Sequence, residues 1–262
     1  MSRPFYGEFA WAYELLVGSS VGGRCDFLVE LLARRGVARG ARVLDAGCGA
    51  GAYAIELARR GFVVDGLDAS PALVEESRAR VAAANPSARR VSFAVGDIVR
   101  MDADARYDAV LCRGVLNDLL DDESRREVFR SFARALRAGG VLVFDVREWG
   151  ATAARKSRAP VFEKTVETAR GRLTFRAETR LDAGGRRLLV SERHTLRGEG
   201  FERVADFDFM MRPWTREELG EALDAAGFRA VEYFGAYDFA SAPGTTDRLV
   251  CAASAASSRD AR

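Results

Sequence analysis

Apolar positions along this chain follow two spacings in turn. Phe27, Leu28, Leu31 and Leu32 recur as one helix face and Gly36 follows as a stop. Residues 41–46 (ARVLDA) form a short apolar run that ends in an acid and meets glycines. Residues 52–60 predict a helix closed by Gly61, and 62–67 a second strand. Ser70-Pro71 opens a further helix, with Ser as N-cap and Pro in the first turn, running to about Asn85-Pro86. Strands three and four fall at 91–95 and 107–112. A helix over 124–137 is closed by Gly139-Gly140, and a fifth strand follows at 141–146. Continuous apolar strands with helices between them predict a parallel sheet covered on both faces.

The pattern changes after Arg147. Leu173, Phe175, Ala177, Thr179 and Leu181 alternate with polar residues, and Asp182-Ala183-Gly184-Gly185 punctuates them as a turn. Residues 188–197 and 204–211 continue the strand reading, so an antiparallel sheet of three or four strands is inserted here. Thr215 with Glu218 then forms a capping box, Gly227 ends that helix, and strands follow at 228–234 and 248–253. The expected organisation is a core over 1–150 and 213–254, an insert over 151–212, and a flexible tail over 255–262, with fraying from Ser254 onward.

Composition narrows the chemistry. A chain of 262 residues with 48% hydrophobic content supports a sizeable core, and a net charge of +2 argues against a surface built for nucleic-acid phosphates. All but two of the 40 basic residues are arginine; Lys156 and Lys164 are the exceptions. One histidine, His194, rules out metal sites and relays that need two. Cys25, Cys48, Cys112 and Cys251 form no CxxC, which points to a reducing cytoplasm. No apolar window is long enough to span a membrane, and Glu8 and Glu14 interrupt the N-terminal segment where a signal peptide would be apolar.

The informative stretch is V-L-D-A-G-C-G-A-G, Val43 to Gly51. Glycines after a buried strand let a ligand approach the backbone, and the following helix start offers N–H groups. The G-x-G-x-G spacing departs from the dinucleotide G-x-G-x-x-G, and Asp45 at the loop mouth would repel a pyrophosphate but suit an ammonium. V-V-D-G-L-D-A-S-P places Asp68 17 residues after Gly51, and F-A-V-G-D-I, Y-D-A-V-L-C-R-G-V-L-N-D and L-R-A-G-G-V-L-V-F-D follow in order.

As a set, spanning about 41–146, these motifs resemble those of the class I S-adenosylmethionine-dependent methyltransferases. The resemblance implies a Rossmann-like fold: a seven-stranded, mostly parallel sheet with helices on both faces, here with an antiparallel sheet inserted after strand five. It implies S-adenosylmethionine as cofactor. Its contacts would be Asp45, Ala46, Gly47, Cys48 and Gly49; Asp68 on the ribose hydroxyls with Ala69 against the adenine; and Gly96, Asp97 and Ile98 about the adenine. Backbone N–H groups around Gly47 to Gly49 would meet the cofactor's carboxylate, and Asp45 its ammonium. Asp45 and Asp68 have a structural alternative, each capping the helix that follows it. The segment F-Y-G-E-F-A-W-A-Y-E-L-L resembles an aromatic N-terminal helix folding over the cofactor, with Tyr13 and Tyr6 facing it or the acceptor. Arg24 suits a carboxylate, and Arg113 joins the cofactor set.

Acceptor contacts are expected from Arg113, Asn117 and Asp118 after strand four, Arg147 and Glu148 after strand five, and the insert. Arg212 and Trp214 stand at the pocket rim or form only a hinge. His194, on a strand face with Val190, Glu192 and Leu196, is a candidate base for an alcohol or phenol or else a structural residue; Glu192 and Asp208 are alternatives. The leading expectation is methyl transfer to nitrogen or oxygen of a small molecule, without nucleic-acid or membrane partners, in a possible homodimer joined through the inserted sheet. A protein or RNA acceptor, a non-catalytic cofactor-binding module and a different transferase on the same fold are the competing readings.

Overall fold

In the computed structural model, which describes residues 3–16, 21–83, 90–102 and 104–256, the apolar run after Ala41 becomes the central strand. In chain order, α1 (Tyr13–Leu16) and α2 (Val21–Arg34) precede β1 (Arg42–Ala46). Then come α3 (Ala52–Arg59), β2 (Val63–Asp68), α4 (Pro71–Ala83), β3 (Val91–Val95), β4 (Tyr107–Cys112), α5 (Asp122–Ala135) and β5 (Leu136–Arg147). After the insert the chain returns through α7 (Arg216–Ala225), β10 (Phe228–Phe234) and β11 (Arg248–Ala255). The sheet runs β10-β11-β5-β4-β1-β2-β3, and β11 alone lies antiparallel to its neighbours. Successive strand residues face opposite sides, so both faces are apolar. Val43, Val64, Ala109 and Val143 pack on α2 and α3, while Leu44, Val110 and Phe144 pack on α5 and α7.

Between β5 and α7 stand α6 (Trp149–Arg158), which the sequence pattern did not reveal, and four antiparallel strands. These are β6 (Val161–Thr168), β7 (Gly171–Asp182), β8 (Arg187–Gly198) and β9 (Phe201–Met211), paired in that order. Their inner face carries Leu173, Phe175, Val190 and Leu196, which pack on Phe5, Phe9 and Leu16 of the N-terminal segment. Arg193–Asp206 and Arg197–Glu202 pairs occupy the outer face.

Several boundaries differ from the sequence reading. The expected N-terminal helix is instead two 3₁₀ turns, Pro4–Tyr6 and Ala10–Ala12, leading to the four-residue α1. Pro4 supplies no N–H, and Gly7 leaves the helical region at φ −144°. α5 stops at Ala135 because Leu136 already pairs with Tyr107 in the sheet. Ser254 and Ala255 are not frayed; they pair with Val141 and Phe228. The expected helix end at Asn85-Pro86 and the tail beyond residue 256 lie outside the described residues. No helix among the described residues is long and apolar enough to cross a membrane.

Candidate active site

The loop after β1 turns on three left-handed glycines, Gly47 (φ +75°), Gly49 (φ +57°) and Gly51 (φ +80°). A Cβ on Gly47 would stand 2.3 Å from the Val115 side chain. The N–H groups of Gly47 and Cys48 donate to the Leu67 carbonyl at 2.7 and 3.0 Å, and that of Gly49 to Asp68 Oδ2 at 2.8 Å. They are therefore spent within the protein, which corrects the expectation that they meet a ligand carboxylate. Gly47→Ala is expected to lower the melting temperature by several degrees, roughly 1–3 kcal/mol of strain and overlap. Val115→Ala in the same chain should recover part of it, since it removes the clash but leaves the dihedral strain. Thermal melts of the single and double variants check this.

Asp45 is fully buried and faces Arg113, whose Nη2 lies 3.3 Å from Oδ1. The β1–β4 register sets Asp45 opposite Leu111, so residue 113, just past β4, reaches back over it. A buried carboxylate needs such a counterion. Asp45 does not cap α3 either, because Gly51 holds that position with no side-chain bond. Burial works against the Arg113 charge, but Asp45 together with Tyr237, Tyr53 and Asp145 more than offsets it, and the guanidinium pKa is raised. Arg113 also lies 3.3 Å from the centre of the Tyr53 ring, and its Nε has no partner among the described residues.

Arg113 and the loop glycines border a cleft of about 450 Å³ beyond the carboxyl ends of the central strands, and Asp45 lies buried behind Arg113 outside its lining. One wall is Gly47, Gly49, Asp68, Ala69, Gly96, Asp97 and Ile98; the facing wall is Arg113, Val115, Asp118 and Leu119; Tyr6 and Tyr13 form the roof. Asp68 accepts from Ser70 N–H at 2.9 Å as well as from Gly49. Burial raises its carboxyl, and those two bonds restrain the rise. Ser70, not Asp68, caps α4 through Leu73 N–H, and its hydroxyl also donates to the Tyr6 carbonyl at 2.8 Å, tying the roof to the wall. Asp97 accepts from Val99 N–H at 2.9 Å and caps a 3₁₀ turn.

On the facing wall, burial pushes Asp118 up to about 6, against the pull of Arg3 and a hydrogen bond from Tyr6. S-adenosylmethionine fits this lining. A glycine cradle in which a Cβ on Gly47 or Gly96 would collide with Val115 or Leu67, two carboxylates on one wall and a buried guanidinium with an unpaired Nε suit its sugar and amino-acid ends.

The remaining sequence candidates do not line this cleft. Ala46 and Cys48 are buried beneath the loop. Arg24 faces a separate groove of about 530 Å³ with Tyr237 and Arg248. Asn117 is buried, its side-chain oxygen accepting from Arg147 N–H at 2.9 Å. Arg147 pairs with Asp247, Glu148 with Arg216, and Arg212 with Asp122. Trp214 is buried in the core under Arg125, away from the cleft rim.

His194 requires the largest correction. It is fully buried among Phe5, Phe9 and Phe175, with neither ring nitrogen hydrogen-bonded among the described residues. The alternation along β8 puts it on the inner face, which the N-terminal segment covers. It is not positioned as a base on the cleft. Ser70 and Val115 line the cleft from within the quoted motifs although neither is singled out there as a lining residue, while Leu73 and Leu119 line it without a motif announcing them.

Residues 43–140 match the family model described as a methyltransferase domain. The chain is 31% identical over 121 residues to a ubiquinone biosynthesis O-methyltransferase of Alkalilimnicola ehrlichii, covering 46% of each protein. It is 30% identical over 125 residues to a glycine/sarcosine N-methyltransferase of Halorhodospira halochloris, covering 47% of this chain and 45% of the relative. The matched segments thus span about half the length of these curated relatives. An S-adenosylmethionine-dependent methyltransferase from Clostridium acetobutylicum shares the fold with a TM-score of 0.80 at 16% identity, over 96% of this chain and 99% of that one. CalS10, an amino pentose methyltransferase from Micromonospora echinaspora, does so with a TM-score of 0.71 at 22% identity, over 97% of this chain and 99% of that one.

Proposed function

We propose that this chain, whose residues 43–140 match a methyltransferase domain, is a class I S-adenosylmethionine-dependent methyltransferase that methylates the nitrogen of a small-molecule amine. When bound, the cofactor supplies a methyl group made electrophilic by its sulfonium. Asp68 and Asp97 would hold its adenosine end, and Arg113, anchored by Asp45, its carboxylate. Tyr13 and Tyr6 close the roof and exclude water, so that positioning carries most of the rate.

The observation that carries the choice of acceptor is Asp118, a carboxyl raised to about 6 on the cleft wall and hydrogen-bonded by Tyr6 at 3.4 Å. An amine must shed its extra proton before it can offer a lone pair, and Asp118 is placed to take it. An aliphatic hydroxyl is far too weak an acid for such a base. The modest cleft and the near-neutral net charge favour a small acceptor over RNA. The inserted sheet leaves β6 and β9 unpaired at its edges, where a second copy would add if the chain forms a homodimer. Light scattering decides that point.

Labelled cofactor incubated with pools of amines, phenols, aliphatic alcohols, protein and RNA tests the acceptor class. Label in the amine pool is the expected result, and label confined to another pool overturns it. Asp118→Asn should lower kcat/KM for the amine about 10- to 100-fold and remove an acidic limb near pH 6. Its effect on stability runs the other way. A carboxyl raised in the folded state contributes stability that is present below its ordinary value of 3.8 and lost as pH rises through about 6. Asp118→Asn should therefore be more stable than the parent above pH 6, by about 1–2 kcal/mol. Urea unfolding at pH 4 and pH 8 measures the difference.

A further inference from the structure

Arg3 lies outside every motif and forms the junction between the insert and the cleft. It grips Glu192 of β8 as a fork, Nε to Oε2 at 3.0 Å and Nη2 to Oε1 at 2.5 Å. Its guanidinium sits 4.1 Å from the centre of the Phe209 ring of β9. The third arm, Nη1, donates to the Tyr6 hydroxyl at 3.2 Å, and that hydroxyl donates to Asp118 Oδ2 at 3.4 Å. Glu192 is buried on the covered face, with His194 Nε2 3.6 Å away. Along this third arm the donors run one way, from the guanidinium through Tyr6 to the carboxylate on the cleft.

We infer that the Arg3–Glu192 pair is a positioning device by which the inserted sheet sets the Tyr6–Asp118 couple at the acceptor end of the cleft. A buried ion pair is a costly way to gain stability, since desolvation offsets most of its attraction. What it supplies is a fixed direction: the bidentate fork allows Arg3 one orientation, and the remaining N–H then allows the Tyr6 hydroxyl one. The groups facing Asp118 are Arg3 and Tyr6 from the N-terminal segment, Tyr13 from α1, Glu192 from β8 and Arg147 from β5. Burial raises the Asp118 carboxyl most, Arg3, Tyr6 and Arg147 draw it down, and Glu192 pushes it up. Glu192 itself is held below the usual carboxylate range, because His194 and Arg3 outweigh its burial. The inference rests on the reading of Asp118 as the proton acceptor, but its first test needs neither cofactor nor acceptor.

That test follows the Asp118 carboxyl by carbon-13 NMR through a pH titration, with Asp118→Asn identifying the resonance. Arg3→Met/Glu192→Gln removes both charges together, so that no lone charge stays buried. Its Asp118 midpoint is expected to rise by about one pH unit, a tenfold change in proton affinity. Arg3→Lys, which keeps the charge, should hold the rise to less than half of that. In turnover, the acidic limb of kcat/KM should move by the same interval while cofactor affinity in calorimetry stays within about twofold.

A merely structural pair would lower the melting temperature and leave the midpoint in place, and that result overturns the inference. If the double variant does not fold, Tyr6→Phe carries the test, because it cuts the link to Asp118 and leaves the ion pair intact. A raised midpoint supports the inference and an unchanged one sinks it. A shifted midpoint without label in any amine would overturn the acceptor assignment alone.

Discussion

Asp68→Ala is expected to abolish measurable S-adenosylmethionine binding in calorimetry, a loss of more than about a hundredfold. The carboxylate stands on the cleft wall, and its Oδ2 and Oδ1 already accept N–H bonds from Gly49 and Ser70. Those bonds fix its plane and leave its remaining lone pairs for a ligand's hydroxyls. Two charge-assisted hydrogen bonds at about 1.5–3 kcal/mol each account for the loss. Alanine also frees two buried donors, so a fall in stability of about 1–2 kcal/mol should accompany it. Asp68→Asn separates the two effects. It keeps the shape and one acceptor oxygen, and should cost about tenfold in affinity. Failure of the unaltered protein to bind either S-adenosylmethionine or its demethylated product would remove the basis of the functional assignment.

The second large effect lies away from the cleft floor. Trp214→Ala is expected to cost about 3–5 kcal/mol in urea unfolding, enough to approach the whole stability of many domains. The indole is 1% exposed and packs edge-on against Phe129. Its Nε1–H donates to the Leu116 carbonyl at 3.0 Å, and the Arg125 guanidinium lies 3.3 Å from the ring centre. Truncation leaves a cavity, an unsatisfied carbonyl and a buried cation without its aromatic face. Burial already lowers the Arg125 pKa to about 10. Trp214→Phe keeps most of the packing and should cost about 1–2 kcal/mol, chiefly the lost hydrogen bond. Leu116 sits two residues before Asp118 in the same 3₁₀ turn. The alanine variant should therefore also weaken turnover at temperatures where it remains folded.

Trp214 shows where reading a linear sequence stops. M-M-R-P-W-T announces a change of structure, but whether the indole faces the cleft or the core depends on α5 and β5, which pack against it from elsewhere in the chain. His194 is similar. The two-residue period of β8 correctly groups it with Val190, Glu192 and Leu196, and that grouping alone cannot tell which face is covered. Arg113 and Asp45 are 68 residues apart, and only the β1–β4 register brings them together. Arg3 carried no local signal at all.

What the chain's own order determined is the strand–glycine–helix alternation, the carboxylates at the strand ends and the alternating insert. These follow from backbone periodicity and from where a turn needs glycine, both properties of neighbours in sequence. The loop N–H groups, by contrast, were spent on Leu67 and Asp68, and Asp45 was given to Arg113, because buried polar groups must be satisfied by whatever packs beside them. The lone histidine became core for a different reason: a covered sheet face takes every side chain that points into it, whether or not its polar atoms find partners.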